Sequence, residues 1–216
     1  PEGVVRRLIV AGKSPVMPTG IDPKPYGPSP ERGKKGIMVT YVGRLESVKG
    51  VDDFVAVADK LKKEFPQVEF RVVGWYKPGH ELVLKYGSTV TFTGLRKDIP
   101  VVLGESDMFV LPSYSEGLSN ALMEAMSSGC ACIASEVGGN AYLIQNGVSG
   151  FLFTPGDRAA LEAHIRRLLA DPHKMKALGL GARARIDQVF SWESVGKQYA
   201  AFFDAWIGGP ASAPSA

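Results

Sequence analysis

Short apolar runs alternate with helical segments along most of the chain, and this alternation limits the fold more than any other feature. From Ile37 onward, six runs rich in β-branched residues are predicted to be strands, separated by segments that are mostly helical in pattern. Nearly continuous apolar strands joined by helices favour a parallel sheet covered on both faces. We therefore predict an α/β domain with a Rossmann-like, doubly wound parallel sheet. The runs are IMVTYV (37–42), VEFRVVG (68–74), TVTFTG (89–94), DMFVLPS (107–113), CACIAS (130–135) and GFLF (150–153).

The remaining segments set the predicted domain boundaries. Residues 1–36 include a stretch dense in Pro and Gly, which indicates a linker or a wrapping loop rather than a packed element. Residues 37–190 form the predicted α/β domain, 191–207 an amphipathic helix and 208–216 a disordered tail. The chain opens on Pro1 without an initiator Met, which is consistent with a fragment of a longer protein.

Composition argues against several functional classes. The net charge of +3 is too small to indicate nucleic-acid binding, and no apolar stretch approaches the length of a membrane span. No signal peptide is recognisable, so we expect a cytoplasmic protein. Cys130 and Cys132 have no nearby His or third Cys and are predicted to be buried core residues. His80, His164 and His173 share no metal-binding spacing, so no metal site is predicted.

The loops that follow the strands are where a site is expected, because ligands of such sheets bind beyond the carboxyl ends of the strands. In the first loop, GRLESVKG, Gly43 permits a sharp turn, and Arg44 and Lys49 stand at a helix entrance. Two cations and a helix N-terminus would together attract an anion. The alternative is two solvated surface cations at an ordinary turn.

A second loop, SYSEGLSNALMEAM, places two glutamates around a helix start. Ser119 or Asn120 is the predicted N-cap, so Glu116 precedes the helix and Glu124 lies about one turn inside it. Gly117 would permit close approach of a ligand to the backbone. An anion could be held by the amides at the helix start while a carboxylate accepts hydrogen bonds from ligand hydroxyls. Alternatively, the first glutamate favours the helix dipole and the second is a solvated helix position.

Two further features lie next to helices. The first can be interpreted in two ways, and the second has a structural interpretation. Gly138 and Gly139 precede another short helix, where they either let backbone amides approach a ligand or form a plain turn. Asp52 and Asp53 open a helix and are predicted to complement its dipole.

Taken in order, these loops resemble the C-terminal, donor-binding half of retaining nucleotide-sugar glycosyltransferases with the two-domain GT-B architecture. The group is known as glycosyltransferase group 1 or family 4. The resemblance runs from about residue 16 to 207, and its most specific element is the pair of glutamates, with seven residues between them, after PS. The matching segments are PTGID (18–22), VGRLESVKG (42–50), FTGLRKDI (92–99), LPSYSEGLSNALMEAMSSG (111–129), GG (138–139), NGVSGFLF (146–153) and FSWE (190–193).

The resemblance implies a role for each site residue. Arg44 and Lys49 would hold the diphosphate of the donor, Glu116 the hydroxyls of the transferred sugar and Glu124 the ribose. We expect the first three to be catalytic, because fixed cations stabilise the charge that grows on the departing diphosphate. No metal or cofactor is then needed. The resemblance also implies that the configuration is retained by attack from the leaving-group face, so Glu116 need not be a nucleophile. The other expected donor contacts are Gly43, Leu95, Arg96, Gly117, Leu118, Ser119 and Asn120, with Leu95 and Arg96 near the base.

The resemblance also implies partners. The donor would be a nucleotide sugar such as a UDP- or GDP-sugar, and the acceptor an unknown glycan, lipid or small molecule. A second, N-terminal Rossmann domain would be needed for activity and could place the protein peripherally at a membrane. Residues 1–36 would then link the domains, and the helix of 191–207 would cross back to that domain, which predicts exposure of Phe202, Phe203 and Trp206. A plain core-facing stripe is the alternative.

One departure from the family pattern is visible. Where family members commonly have an apolar residue, Pro and an acid after the glycine pair, this chain has Asn140, Ala141 and Tyr142. A donor contact from an acidic side chain is therefore in doubt at this position.

Two other functions stay open, and a third is disfavoured. A non-catalytic nucleotide-sugar binding module would need only the binding residues. A sugar-nucleotide epimerase of GT-B fold would bind a similar ligand but needs its own acid and base carboxylates. A retaining glycosidase uses two carboxylates but has no need of a phosphate site.

Overall fold

The computed structural model describes residues 18–34 and 36–207, so the predictions for residues 1–17 and 208–216 lie outside the described residues. Within that part, six strands form one parallel sheet in the order β3-β2-β1-β4-β5-β6. The predicted doubly wound parallel sheet is confirmed. The strands are β1 (Met38–Val42), β2 (Glu69–Val73), β3 (Thr91–Gly94), β4 (Met108–Leu111), β5 (Ala131–Ser135) and β6 (Phe151–Phe153).

Helices connect the strands as the apolar periodicity predicts. Asp157 caps the helix after β6, since its Oδ1 accepts a hydrogen bond from the Ala160 N–H at 2.9 Å. Short turns of other geometry also occur, a 3₁₀ turn at Ser47–Lys49 and a π-helical turn at Ile186–Phe190. The α-helices are α1 (Val51–Glu64), α2 (Glu81–Tyr86), α3 (Ile99–Gly104), α4 (Asn120–Ser127), α5 (Asn140–Leu143), α6 (Arg158–Ala170), α7 (Pro172–Arg185) and α8 (Trp192–Ile207). None of these helices, as far as the structure describes them, has the length and apolar character needed to span a bilayer.

The sheet buries apolar side chains on both of its faces. Along β4, Met108 and Val110 belong to one buried cluster, whereas Phe109 and Leu111 belong to another. Successive side chains of a strand point to opposite faces, so the two clusters are the two layers of core. This double burial explains why the strands read as continuous apolar runs rather than alternating ones.

Both cysteines lie in the second of these clusters. Cys130 and Cys132 are fully buried and unbridged, and burial raises the pKa of the Cys130 thiol to about 12. The prediction that they are core residues is confirmed.

The segment before β1 wraps around the domain and is packed against it. Ile21 and Tyr26 contact the second cluster, and the Arg32 guanidinium donates hydrogen bonds of 2.8–3.0 Å to backbone carbonyls. Those carbonyls lie at the ends of α3 and α4, where the helix dipole favours a cation. In the described residues this segment is a wrapping loop whose side chains pack against the domain, although the sequence predicts an unpacked segment. The carbonyls belong to Leu103, Gly104, Ser128 and Gly129.

The wrapping segment also meets the start of α8. The Ile21 N–H donates to the Phe190 carbonyl at 2.9 Å, and the Trp192 N–H donates to the Ile21 carbonyl at 3.0 Å. Further along α8, Phe203 is exposed, as predicted, and Phe202 is partly buried beside it. The side chain of Trp206 lies outside the described residues.

The order of the strands determines where a ligand site can form. The order in which strands are added reverses between β1 and β4, since β2 and β3 lie on one side of β1 and β4 to β6 on the other. β1 and β4 pair directly and in parallel, with Val39 opposite Met108. The loops at their carboxyl ends therefore meet at the topological switch point, where open α/β sheets bind ligands.

Candidate functional site

The loops after β1 and β4 are in direct contact at the carboxyl edge of the sheet. The Tyr114 N–H donates to the Val48 carbonyl at 2.9 Å. Gly50 has a φ of 66°, and a Cβ atom at this position would lie 1.9 Å from the Pro112 carbonyl oxygen. Only glycine allows this approach, because any side chain would clash and the left-handed backbone is strained for other residues. The two loops are thus joined into one surface.

The glycine pair after β5 packs against the same surface. The Gly139 N–H donates to the Gly117 carbonyl at 2.9 Å, and a Cβ atom at Gly138 would lie 1.9 Å from the Glu116 carbonyl oxygen. The Gly139 amide is therefore used inside the protein. Of the two interpretations of this pair, the structure favours the turn, which supports the neighbouring loop.

Two of the predicted site residues, Lys49 and Glu116, form an ion pair. The distance from Lys49 Nζ to Glu116 Oε1 is 2.9 Å, and the side chains are 24% and 9% exposed. Ser113 Oγ donates to the same oxygen at 2.8 Å. Within the described residues, no donor reaches the second carboxylate oxygen, Oε2. This oxygen is left to accept hydrogen bonds from a ligand.

The start of α4 offers free backbone amides. Ser119 is the N-cap, as predicted, with its Oγ accepting from the Leu122 N–H at 3.3 Å. The N–H groups of Leu118, Ser119 and Asn120 find no acceptor among the residues that the structure describes. Gly117 stands beside them, and a Cβ atom there would meet nothing within 4 Å. Open space next to a helix N-terminus suits an anionic ligand.

Glu124 is half-buried on the same helix. Burial raises the pKa of its carboxyl group, and the nearby Tyr26 hydroxyl opposes the rise. Burial, together with the charge of Glu124, raises the pKa of Tyr26 to about 12. No ion pair to Glu124 forms among residues 18–34 and 36–207. Because its side chain is half-buried, Glu124 is not the fully solvated helix position that we considered as the alternative.

Arg44 lies on the other side of the β1 loop. Its side chain is 66% exposed and pairs with Glu46 at 2.9 Å, while the Gly43 N–H donates to the Val73 carbonyl. Arg44 also lines a cavity of about 190 Å³ together with Trp75, which is 62% exposed. The sequence patterns do not single out Trp75. Its only signal is an aromatic residue two positions after β2, at the carboxyl edge of the sheet.

Leu95 and Arg96 lie at the same edge but farther along it. They follow β3, the outermost strand, two strands away from the β1 loop. Leu95 is exposed, and Arg96 Nε donates to Asp98 Oδ1 at 2.7 Å. This hydrogen bond lowers the pKa of Asp98 to about 2. The structure thus places these two residues on the carboxyl edge without joining them to the ion pair.

The residues that depart from the family pattern have structural roles. Asn140 is fully buried, and its Nδ2 donates to the Ser135 carbonyl at 3.2 Å. Ala141 and Tyr142 are exposed, with the ring of Tyr142 packed edge-on against Phe190 at 5.4 Å. No acidic side chain stands at these three positions.

Two of the three histidines, His80 and His164, occupy structural positions. His80 Nδ1 accepts from the Leu82 N–H at the start of α2, and His164 stacks on Phe151 at 4.6 Å. In the part of the chain that the structure describes, no three His, Cys, Asp or Glu residues come together in a way that could hold a metal ion.

The chain is similar to known proteins of one family. The family described as Glycosyl transferases group 1 matches residues 27–185. MMP alpha-(1->4)-mannosyltransferase from Mycolicibacterium hassiacum is 30% identical over 200 residues, which cover 89% of this chain and 48% of that protein. The chain spans about half the length of the curated relatives it matches.

Solved structures of related proteins have the same fold. HepE from Anabaena, solved in complex with UDP-glucose, is 27% identical, with a TM-score of 0.77 over 90% of this chain and 58% of HepE. The C-terminal domain of a glycosyl transferase group 1 family protein, LpcC from Francisella tularensis, has a TM-score of 0.73 at 23% identity. That match covers 80% of this chain and 100% of the solved domain.

Proposed function

Because the chain belongs to the glycosyl transferases group 1 family, we propose that it binds a nucleotide-diphosphate sugar and supplies the donor half of a hexosyl transfer. The observation that carries this proposal is the convergence of three features at the switch point. These are the Lys49–Glu116 ion pair, the amides at the start of α4 that find no acceptor among the described residues, and the open space beside Gly117. Together they offer positive charge to a diphosphate and a carboxylate oxygen to sugar hydroxyls.

The diphosphate would lie between Lys49 and the start of α4, with Arg44 at its outer side. Free N–H groups and the helix dipole add to the charge of the two side chains. Groups fixed in this way stabilise the negative charge that grows on the leaving diphosphate without having to reorganise. We therefore propose that departure of the diphosphate needs no metal ion or cofactor.

Two carboxylates would hold the two sugar rings of the donor. Glu116 Oε2 would accept hydrogen bonds from the transferred sugar, and Glu124 would accept them from the ribose. The half-buried position of Glu124 supports this role, since a partly desolvated carboxylate without a cation gains most from ligand hydroxyls. Leu95 and Arg96 would lie toward the base. HepE binds UDP-glucose, so a UDP-sugar is our first proposal for the donor and a GDP-sugar the second.

We propose that transfer retains the anomeric configuration, with the acceptor attacking from the face of the leaving group. Glu116 would position the sugar rather than act as a nucleophile, because its ion pair with Lys49 and its hydrogen bond from Ser113 draw charge away from the carboxylate. The acceptor, a glycan, lipid or small molecule, and an N-terminal Rossmann domain would complete the enzyme, which we expect in the cytoplasm.

Calorimetry on this chain tests the donor site. UDP, GDP, UDP-glucose and GDP-mannose would be titrated separately, each with and without EDTA. We expect one nucleoside diphosphate to bind with EDTA present, and its sugar conjugate to bind more tightly. Failure of all four ligands at millimolar concentration would refute the donor site, and loss of binding in EDTA would refute metal independence. In a longer protein containing this chain, sugar transfer followed by NMR would separate a retaining transferase from an epimerase or a binding module.

A further inference from the structure

We propose that Asp53 and Tyr114 are positioning residues that hold the Glu116 loop for the sugar of the donor. Neither residue is predicted to touch the ligand. The inference rests on the proposed function, because it assigns these residues a purpose only if Glu116 binds the transferred sugar.

Asp53 is a buried carboxylate with two partners from distant parts of the chain. Its side chain is 5% exposed, although the sequence predicts an ordinary helix-start residue. Oδ2 accepts from the Tyr114 hydroxyl at 2.8 Å, and Oδ1 accepts from Arg158 Nε at 2.6 Å. For both Tyr114 and Arg158, the hydrogen bond that each donates to Asp53 is the main cause of a raised pKa. Burying a charge is costly unless it is paired and hydrogen-bonded, and both conditions are met.

Tyr114 connects this buried carboxylate to the loop that carries Glu116. It lies directly after Ser113, which hydrogen-bonds Glu116, and its own N–H is bonded to the Val48 carbonyl in the loop of Lys49. The hydroxyl end is fixed to α1 through Asp53, and through Arg158 to the start of α6. The residue is thus held at its backbone and at its side-chain tip.

These two anchors hold the loop after β4 in place, and with it the position of the Glu116 carboxylate. Removing the Tyr114 hydroxyl leaves the Lys49–Glu116 pair and the α4 amides in the chain but frees one end of the loop. A ligand that uses only Lys49 and the amides should be insensitive to this freedom. A ligand whose sugar depends on the position of Glu116 should lose affinity, because small displacements of a positioning group are costly.

The experiment compares two ligands on wild type and three variants. Tyr114→Phe removes only the hydroxyl, and Asp53→Asn removes the charge with little change of shape. Tyr199→Phe is the matched control, since this partly exposed tyrosine has no hydroxyl hydrogen bond in the described part of the chain. Dissociation constants would be measured by calorimetry for UDP and UDP-glucose, or for GDP and GDP-mannose if wild type binds those instead. Thermal unfolding would be recorded in parallel.

We expect Tyr114→Phe and Asp53→Asn to bind the bare diphosphate within about twofold of wild type and the sugar nucleotide about tenfold more weakly, a difference of about 1.4 kcal/mol. Tyr199→Phe should bind both as wild type does. Equal losses for both ligands would mean a general structural role and would overturn the inference, as would unchanged sugar-nucleotide binding. If wild type binds neither ligand, the proposed function itself fails and the inference falls with it.

Discussion

The Lys49 ammonium nitrogen lies 2.9 Å from Oε1 of Glu116, joining the loops after β1 and β4 across 67 residues of sequence. The two residues have different proposed partners, the diphosphate for Lys49 and the transferred sugar for Glu116. Their pairing couples these roles, because Glu116 neutralises part of the positive charge that the diphosphate would use. A change at either residue should therefore be felt at both ends of the donor.

Glu116→Gln should separate the two ends of the donor. We expect UDP to bind as tightly as to wild type or more tightly, because Lys49 is released from its carboxylate. UDP-glucose should lose about 1.5–3 kcal/mol of binding free energy, the range for a hydrogen bond to a charged group. Glu124→Gln is the comparison, and it should weaken both ligands by similar amounts, since both contain the ribose. Calorimetry of two variants against two ligands gives the result. A loss of UDP affinity in Glu116→Gln equal to that of UDP-glucose would rule out Glu116 as the sugar ligand.

Gly117→Ala should reveal a ligand that lies against the backbone. The protein has room for the added methyl group, so the free energy of unfolding should change by no more than about 0.5 kcal/mol. Affinity for UDP-glucose should nevertheless fall about tenfold or more, or about 1.4 kcal/mol, because the methyl group takes the place of ligand atoms. Gly196→Ala is the matched control, a glycine on α8 whose added Cβ also meets nothing within 4 Å. Unchanged affinity in Gly117→Ala would place the donor elsewhere.

Arg44→Ala should flatten the salt dependence of UDP binding. The side chain is exposed, so its attraction for a diphosphate is screened by salt and should contribute up to about 1 kcal/mol at low ionic strength. Lys63→Ala removes an equal charge and a similar exposed ion pair, with Asp59, far along α1. Binding would be measured by calorimetry over a series of NaCl concentrations. Equal slopes for wild type and Arg44→Ala would exclude Arg44 from the diphosphate site.

Glu124→Gln should raise the melting temperature at neutral pH while it weakens UDP binding. Burial raises the pKa of Glu124, so the folded state holds the proton more strongly than the unfolded chain does. The charged carboxylate therefore costs stability at pH 7, and wild type should gain stability relative to the variant as pH falls through the raised pKa. Below the ordinary pKa of a glutamate, about 4.3, the pH-dependent part of the stability difference between wild type and Glu124→Gln should vanish. A melting-temperature difference that is constant from pH 7 to pH 4 would show that the buried charge has no such cost.

Arg32→Met should destabilise the fold without changing donor binding. The variant loses hydrogen bonds to four backbone carbonyls and leaves partly buried acceptors unsatisfied. We expect a loss of about 2–3 kcal/mol in the free energy of unfolding, measured by urea denaturation. UDP affinity should be retained, since the carbonyls lie before β4 and β5, at the amino end of the sheet. Lys34→Met, which removes an exposed ion pair with Glu31, is the control and should cost little.

The sequence predicted the sheet and helices because these depend on local patterns. Continuous apolar strands and an N-cap at Ser119, one of the two candidate caps, each rest on neighbouring residues, and both are confirmed. The burial of Cys130 and Cys132 also follows from local composition.

The contacts that local patterns could not predict join residues distant in sequence. Nothing around Arg32 indicates that carbonyls from two helix ends converge on it, so the sequence predicts only a loop there. The sequence predicts only that Asp53 complements the dipole of its helix, because its hydrogen-bond partners lie far away in sequence. The role of Gly139 could not be predicted from its neighbours either, since only the fold shows that its amide is bonded to the Gly117 carbonyl.

The interlocked glycine contacts at the carboxyl edge have a thermodynamic consequence. Gly50 against Pro112 and Gly138 against Glu116 leave the three loops almost no alternative packing. Their conformational entropy is given up when the domain folds, rather than when a ligand arrives. Binding at this edge should therefore carry only a small entropic penalty for loop ordering, so that affinity is set by contacts and desolvation on a surface that is already preorganised.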